Sequence, residues 1–589
     1  MARPRAPLGD AAAAREELAR WWTLAWPSAL TSGFDLLPWI VSLTLIGRLG
    51  TEDLSAVSLM ETWLYGWMVV ALGGVVSTQH TLCSQARGAN NVGALRGWSA
   101  MTLAAMLASD VVVVAMWVAA PAVLRGVGFD AALVDRGAVY SRLGIPAMVL
   151  IGASAVGEVH LSAMQAPGVS LGITVLCSAI DAGLSYYFIL GITPSLGLAG
   201  GAAAWDLGEA IKACLFALAM RWALGKELLF NESKSDEDDR EEGQGGEEGV
   251  GSGAGAAAAE GAAGAKEEVI VAAAAGSKAG DSNDEEGEGD EGEDEDEDEG
   301  EGEGEGEGPG GSRSCWGPVL RFLASGRRWR TFLQQCLPNL GTSALSTLQW
   351  TTISFLAAGI GALQIAAHNG AMALNEVVHA LTNGMAEATS IRVGFHLGRG
   401  DAVGAQRAAA LGLGMAALLG ATVAVPGYFA RAYLGRIFSD DPAVVAAVES
   451  IATWFWISNY LECVCATAWA VLEGQGRASA NTYVAFFCDR CVGMVLAVLS
   501  TRFTSYGLSG LWGGVAIGSA VALVVAVALI LASDWPRLVE DARARLEEEE
   551  REDREAAGKK RRARAAERAR LGGGSAGDSS SAAQPLLGE

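Results

Sequence analysis

Residues 503–533 read FTSYGLSGLWGGVAIGSAVALVVAVALILAS, without an Asp, Glu, Lys or Arg. A membrane α-helix needs about 20 mostly apolar residues, so this run is long enough to cross a bilayer. Residues 408–430 and 182–205 are equally free of those charges, and 45 uncharged residues lie between Arg330 and Glu376. That last stretch holds two spans, with Gly359-Ile360-Gly361 as the turn. Lipid offers no partner to backbone N–H and C=O groups, so the runs must be helices. Twelve spans are expected along the chain, at about 21–47, 54–82, 97–124, 139–161, 168–191, 198–222, 331–358, 364–391, 405–432, 444–472, 479–501 and 508–533.

The charges are concentrated elsewhere. Of 589 residues, 51% are hydrophobic and 19% charged. Residues 231–308 hold 30 acidic residues against Lys234, Arg240, Lys266 and Lys278, a net of −26, while the whole chain is −25. The acidity therefore belongs to one insert. With no large basic face to neutralise phosphates, a nucleic-acid binder is excluded. Nine Cys, mostly in apolar runs, exclude a small disulfide scaffold.

The Gly/Glu/Asp-rich insert is too polar to bury a core, and reads as a disordered cytoplasmic linker over 226–329. A docking or regulatory role is the alternative. It separates a six-helix lobe at 21–225 from a second at 330–535. Residues 1–20 form an N-terminus without a signal-peptide pattern. Residues 536–589 form a charged tail, helical in pattern from Leu538 to Arg570 and expected to be solvated. Basic residues flanking the insert (Arg221, Lys226, Arg313, Arg321, Arg327) and Lys559-Lys560-Arg561-Arg562 place the insert and both termini in the cytoplasm. The membrane is expected to be plasma or vacuolar.

The two lobes repeat. Shifted by 311 residues, Pro27 falls on Pro338, Trp39 on Trp350, Gly50 on Gly361 and Thr78 on Thr389. Val92-Gly93-Ala94-Leu95-Arg96 falls on Val403-Gly404-Ala405-Gln406-Arg407. Such repeats place a substrate site between halves that rock against each other.

These residues resemble the multidrug and toxic compound extrusion (MATE) family, its eukaryotic branch most. Arg48-Leu49-Gly50 with Leu54-Ser55-Ala56 is similar to its first-loop pattern. His80-Thr81-Leu82-Cys83-Ser84-Gln85-Ala86-Arg87-Gly88-Ala89 is similar to the segment closing its second span. Ser390-Ile391-Arg392-Val393-Gly394 with Leu397-Gly398 resembles the segment after its eighth. Leu472-Glu473-Gly474-Gln475-Gly476-Arg477, Gly510-Leu511-Trp512 and Asp534-Trp535 resemble later motifs. The resemblance covers about 20–225 and 330–540; the insert has no counterpart in it. It implies an all-α integral membrane protein with twelve transmembrane helices, in two six-helix repeat lobes forming a V. It also implies export of organic compounds in exchange for H⁺ or Na⁺.

A mid-bilayer charge costs roughly 2.5 kcal/mol or more, so ionisable residues in spans need partners, water or a function. Asp35, Glu61, Asp110, Glu158, Asp181, Asp206, Glu209, Glu376, Glu387, Glu462, Asp489 and Arg490 are such residues. Glu462 matches the family's coupling carboxylate, eleven residues before Glu473, which stands where the family has Arg. Asp35 lies mid-span in the first helix, two turns before the place of the prokaryotic coupling Asp, here Ser42. Glu462 and Asp35 are the expected proton-coupling residues. The family's two seventh-span carboxylates are replaced by Gln349 and Ser354, which disfavours a multi-carboxylate Na⁺ site. Trp350 keeps the aromatic and offers either a cation–π face or packing. Gln349, Trp350, Ser354, Trp39, Asp489 and Arg490 are the expected substrate-cavity residues. As chain neighbours, Asp489 and Arg490 are expected to point apart.

The expected function is a proton-coupled secondary antiporter working by alternating access on small organic compounds. Its partners are the substrate, protons and the bilayer, and it is expected to act as a monomer. A lipid or oligosaccharide-lipid flippase of the same superfamily, or a non-transporting scaffold, is the alternative. With no GxGxxG or Walker loop and only scattered His residues, neither an enzyme nor a metal or cofactor site is expected.

Overall fold

The computed structural model describes residues 11–191, 196–244, 316–438 and 441–572, and among these every regular element is a helix. The first three spans are α1 (Ala11–Gly47), α2 (Thr51–Gly88) and α3 (Val92–Val127). The fourth is bent at Gly144, which separates α4 (Ala131–Leu143) from α5 (Ile145–Ala163). Pro146 lies in the first turn of α5, where its missing N–H costs nothing. The fifth is α6 (Pro167–Tyr186), which ends in a π-helical turn at Tyr187–Gly191. The sixth is α7 (Gly197–Gln244), a helix that runs on into the start of the acidic insert. The remainder of the expected disordered linker, from 245 to 315, lies outside the described residues.

A short helix, α8 (Trp316–Leu323), precedes the second lobe. Its spans are α9 (Gly326–Ile360), α10 (Ala362–Arg399) and α11 (Ala402–Phe429), then α12 (Arg431–Phe438) leading into α13 (Pro442–Gly474). The eleventh span joins α14 (Ala478–Val484), a π-helical segment at Ala485–Gly493 and α15 (Met494–Phe503). The twelfth is α16 (Gly507–Leu531), and α17 (Trp535–Gly572) follows it.

Among the described residues, nine helical stretches are long and apolar enough to cross a membrane on composition alone. The sixth, seventh and eighth spans fall short. Asp206, Glu209 and Lys212 in the sixth, and His368, Asn375, Glu376 and His379 in the eighth, lower their hydropathy. They are held by protein neighbours instead: the eighth span lies against spans 1, 2 and 10.

The sequence repeat is also a repeat of backbone conformation. Gly50 and Gly361 start the second spans of their lobes with φ 157° and 158°. Gly197 and Gly507 start the last spans with φ 57° and 50°, a left-handed conformation that glycine adopts at little cost. Side chains in the matching loops cap the third span of each lobe: Asn91 accepts from the Ala94 N–H at 2.9 Å, and Asp401 from the Gly404 N–H at 2.7 Å.

Among the described residues the protein is all-α, a multi-pass integral membrane protein whose twelve spans form two lobes. The N-terminal lobe has a core around Met60, Leu64, Trp117, Val134 and Met148. The C-terminal lobe has one around Ile353, Phe455, Trp456, Leu511 and Trp512. The lobes meet where span 1 lies on span 8 and span 2 on spans 7 and 8. Glycines permit the closest approach. A Cβ at Gly88 would collide with the Phe395 carbonyl, one at Gly394 with Ser84, and one at Gly398 with the backbone of Gln85. These glycines are the ones that stood out in the sequence motifs ending spans 2 and 8.

The tail departs from the expectation of a solvated helix. Trp535, Val539, Ala542 and Leu546 of α17 are buried. Their spacing of four, three and four residues makes one apolar stripe. Trp535, Val539 and Ala542 join a cluster with Val393, Leu397 and Val471 of the C-terminal lobe, and Leu546 joins one with Leu82, Trp98 and Phe322. Arg327 donates to Glu548 at 2.7 Å, and the buried Arg328 donates to the Glu549 carbonyl at 3.0 Å.

Candidate functional site: a carboxylate-lined cavity and its closed side

A cavity of about 590 Å³ lies in the N-terminal lobe, walled by spans 1 to 6 and touched by Glu376 of span 8. Asp35 and Trp39 reach it from span 1, Glu61 from span 2, Glu158 from span 4, Asp181 from span 5, and Glu209 with Lys212 from span 6. The Lys212 ammonium donates to Asp35 Oδ1 at 2.6 Å. Glu61 accepts from the Trp39 indole at 2.9 Å and from the Tyr140 hydroxyl at 3.2 Å. Ser154 donates to Glu209 at 3.3 Å. Asp181 approaches the sixth span only because residue 208 is Gly, since a Cβ there would collide with the carboxylate. Aromatic faces complete the wall, with Tyr140 stacked on Trp205 at 11° and 6.4 Å.

The charge balance of this cavity decides what it can hold. Its lining contains six carboxylates and one amine, so full ionisation would leave a net of −5. Such a charge in low-dielectric surroundings must be offset by protons or by a bound cation. Aromatic faces favour a cation that is organic and flat.

The other expected site residues lie elsewhere. Glu462 stands in the C-terminal lobe, 3.9 Å from His379 Nε2, with Arg490 and Glu376 within electrostatic reach. Gln349 is buried, outside the cavity lining. Trp350 packs on Trp512 at 5.9 Å beside the C-terminal core, outside that lining. Ser354 donates to the Trp350 carbonyl at 3.0 Å and lies 3.2 Å from His368 Nε2, also outside that lining.

Asp489 and Arg490 correct the expectation that they point apart, because they form an ion pair with each other. They sit in the π-helical segment, and the long arginine stem folds its guanidinium back onto the preceding carboxylate. Ser519 also donates to Asp489, at 3.3 Å, and Arg490 lies 5.6 Å from the Trp469 ring. Lys212, the cavity's amine, is absent from the sequence reading. Its signal was available: it lies three residues after Glu209, on one face of the sixth span.

Side chains bridge the two lobes on the side of the termini. There Glu17, in the polar first turns of α1 ahead of its apolar stretch, accepts from Arg392 Nε at 2.8 Å and Nη2 at 2.5 Å, in the last turns of α10 beyond its apolar stretch. His396 Nε2 lies 3.0 Å from the same Glu17, and its Nδ1 lies 3.1 Å from Asp401. The His396 ring thus bridges the two carboxylates. Burial alone would lower the His396 pKa, but hydrogen bonds to Asp401 and Glu17 raise it above its ordinary value. The His396 hydrogen bond in turn holds the Asp401 carboxyl down at about 2. Arg392 and His396 stand 3.2 Å apart, two cations that share Glu17. Beside them Trp21 donates to Thr389 at 3.0 Å, Thr81 to the Glu473 carbonyl at 2.8 Å and Gln85 to the Gly474 carbonyl at 3.1 Å. Each of these bonds joins one lobe to the other.

Fold and cavity together define a two-lobe, twelve-span membrane protein with an internal repeat. The MatE family model matches the chain twice, over residues 27–187 and 338–499, and the chain belongs to that family. The two matches stand at the offset of the sequence repeat. Multidrug and toxin extrusion protein 1 of Homo sapiens is 24% identical over 215 residues, covering 36% of this chain and 38% of that protein. Multidrug and toxin extrusion protein 2 of Oryctolagus cuniculus is 26% identical over 217 residues, covering 37% and 36%. These matches span less than two fifths of either relative's length. Among solved structures, the eukaryotic MATE transporter AtDTX14 has a TM-score of 0.68 at 18% identity, covering 90% of this chain and 99% of that one. An outward-facing MATE family transporter of the MOP superfamily has a TM-score of 0.64 at 16% identity, covering 90% and 97%. Both share the fold.

Proposed function

We propose that the protein is a secondary active antiporter that moves an organic cation across the membrane in exchange for H⁺. The carboxylate-lined, aromatic-walled cavity carries this reading. A proton and a substrate cation neutralise the same carboxylates, so each weakens the binding of the other. That reciprocal coupling is what an antiporter needs. In this reading Asp35 is the cavity's coupling acid, and Glu462 is a second one in the opposite lobe. The Glu17–Arg392–His396 cluster and the glycine contacts hold the termini side shut, and must part when the cavity turns to that side. The termini side is cytoplasmic in this scheme, and the direction of net transport is export. The names of the human and rabbit relatives support multidrug or toxin extrusion as the activity. The absence of paired carboxylates at Gln349 and Ser354 supports H⁺ rather than Na⁺. The test is purified protein in liposomes, with uptake of ethidium measured after a pH jump and, separately, under a Na⁺ gradient at constant pH. Uptake that follows ΔpH supports the proposal; uptake driven by Na⁺ alone refutes the coupling.

A further inference from the structure

We propose that Lys212 is a tethered counter-cation, which occupies a substrate's charge position in the empty cavity and limits how much positive charge a substrate brings. The inference rests on the cation reading above and names a determinant of its specificity.

Three observations carry it. The Lys212 ammonium makes a 2.6 Å contact with Asp35, and both residues line the cavity. Lys212 is the one amine or guanidinium in that lining, set against six carboxylates. Glu209, Glu158 and Asp181 are all within its electrostatic reach, so it has other anions to move to. A lysine is a point charge on a flexible four-carbon stem, suited to shifting between neighbouring carboxylates. An entering cation therefore competes with the ammonium for Asp35. When the substrate takes that carboxylate, the ammonium moves toward the Glu209 side and stays in the cavity. One positive charge is thus always present, and a dication meets twice the repulsion that a monocation does. Lys212 makes this cavity a monocation site.

The experiment measures binding of ethidium, a monocation, and methyl viologen, a dication, to the full-length protein in nanodiscs. The readout is the ratio of the two affinities. Lys212→Met removes one positive charge from the cavity. With the displaced ammonium about 12 Å from the ligand and an effective dielectric of about 20, this strengthens monocation binding about tenfold and dication binding about a hundredfold. The affinity ratio therefore moves about tenfold toward methyl viologen. Lys212→Arg keeps the charge and should keep the wild-type ratio. Asp35→Asn combined with Lys212→Met restores the net charge and should bring the ratio back. Should Lys212→Met melt below the assay temperature, Lys212→Gln makes the same charge change with a polar side chain. An unchanged ratio in both neutral variants overturns the proposal, and so does an Arg variant that behaves like the Met variant. A wild-type protein that binds neither cation, and is not thermally stabilised by either, removes the organic-cation reading itself. That result is distinct from cation binding that is indifferent to Lys212.

Discussion

Glu17→Gln removes the anion shared by Arg392 and His396. The Arg392 side chain is fully buried, and Glu17 is 5% exposed. Removing one partner of a buried, bidentate pair costs about 3–5 kcal/mol, because the other charge is left without compensation. Here two cations 3.2 Å apart lose their common acceptor. The pair joins span 1 to span 8, so its loss falls on the state closed at the termini side. A shift of about 3 kcal/mol changes a two-state ratio by roughly a hundredfold. The assay is maleimide labelling of Ser84→Cys, a buried interlobe position, in a background lacking Cys214, Cys315 and Cys491. Labelling should accelerate by at least tenfold in Glu17→Gln, and the purified protein should melt several degrees lower. The wild type should show a related pH dependence. The His396 pKa is raised in the closed state, so its contribution is complete below about pH 6.5, its ordinary value. It is lost as pH rises through the raised value, and labelling should accelerate over that interval. His396→Gln should flatten the profile. A Glu17→Gln protein that labels within twofold of the parent and melts at the same temperature would refute the reasoning.

Three further outcomes are expected. Asp35→Asn and Glu462→Gln each remove a titratable proton at constant size, and each should reduce pH-driven transport by about an order of magnitude while expression is retained; wild-type transport in Glu462→Gln with loss in Asp35→Asn would confine the proton path to the N-terminal lobe. Trp350→Ala removes the contact with Trp512 and should cost about 3 kcal/mol, read as a lower melting temperature; unchanged stability with lost substrate binding would return Trp350 to the cavity. Deleting 231–308, the stretch of net −26, should leave basal transport intact; lost transport at normal surface expression would make the insert a functional element.

The spans were legible because lipid leaves the backbone no choice, and a run such as 503–533 has one reading. The repeat was legible because Gly50 and Gly361, or Gly197 and Gly507, meet the same backbone demand twice. The face each side chain presents was harder to read. In a span that is apolar all round, sequence spacing does not separate the cavity side from the core side. Trp350 and Ser354 are expected in the cavity from the family's seventh-span pattern; Trp350 packs beside Trp512, and Ser354 lies beside His368. Asp489 and Arg490 were read on α-helical geometry, but they sit in a π-helical segment. Lys212 was harder to read, because a lone base gains its meaning only when six spans bring six carboxylates around it. The buried stripe of α17 could have been read from Trp535, Val539, Ala542 and Leu546, but the surrounding charges masked it.

The central claim is that one set of cavity carboxylates answers to both protons and organic cations. Ethidium uptake into liposomes containing the wild-type protein, driven by an imposed pH gradient with Na⁺ equal on both sides, tests it most directly. The account predicts uptake that rises with ΔpH, collapses when a protonophore removes the gradient, and is unaffected by a Na⁺ gradient at constant pH. Uptake that ignores ΔpH, or that follows Na⁺ alone, would contradict it.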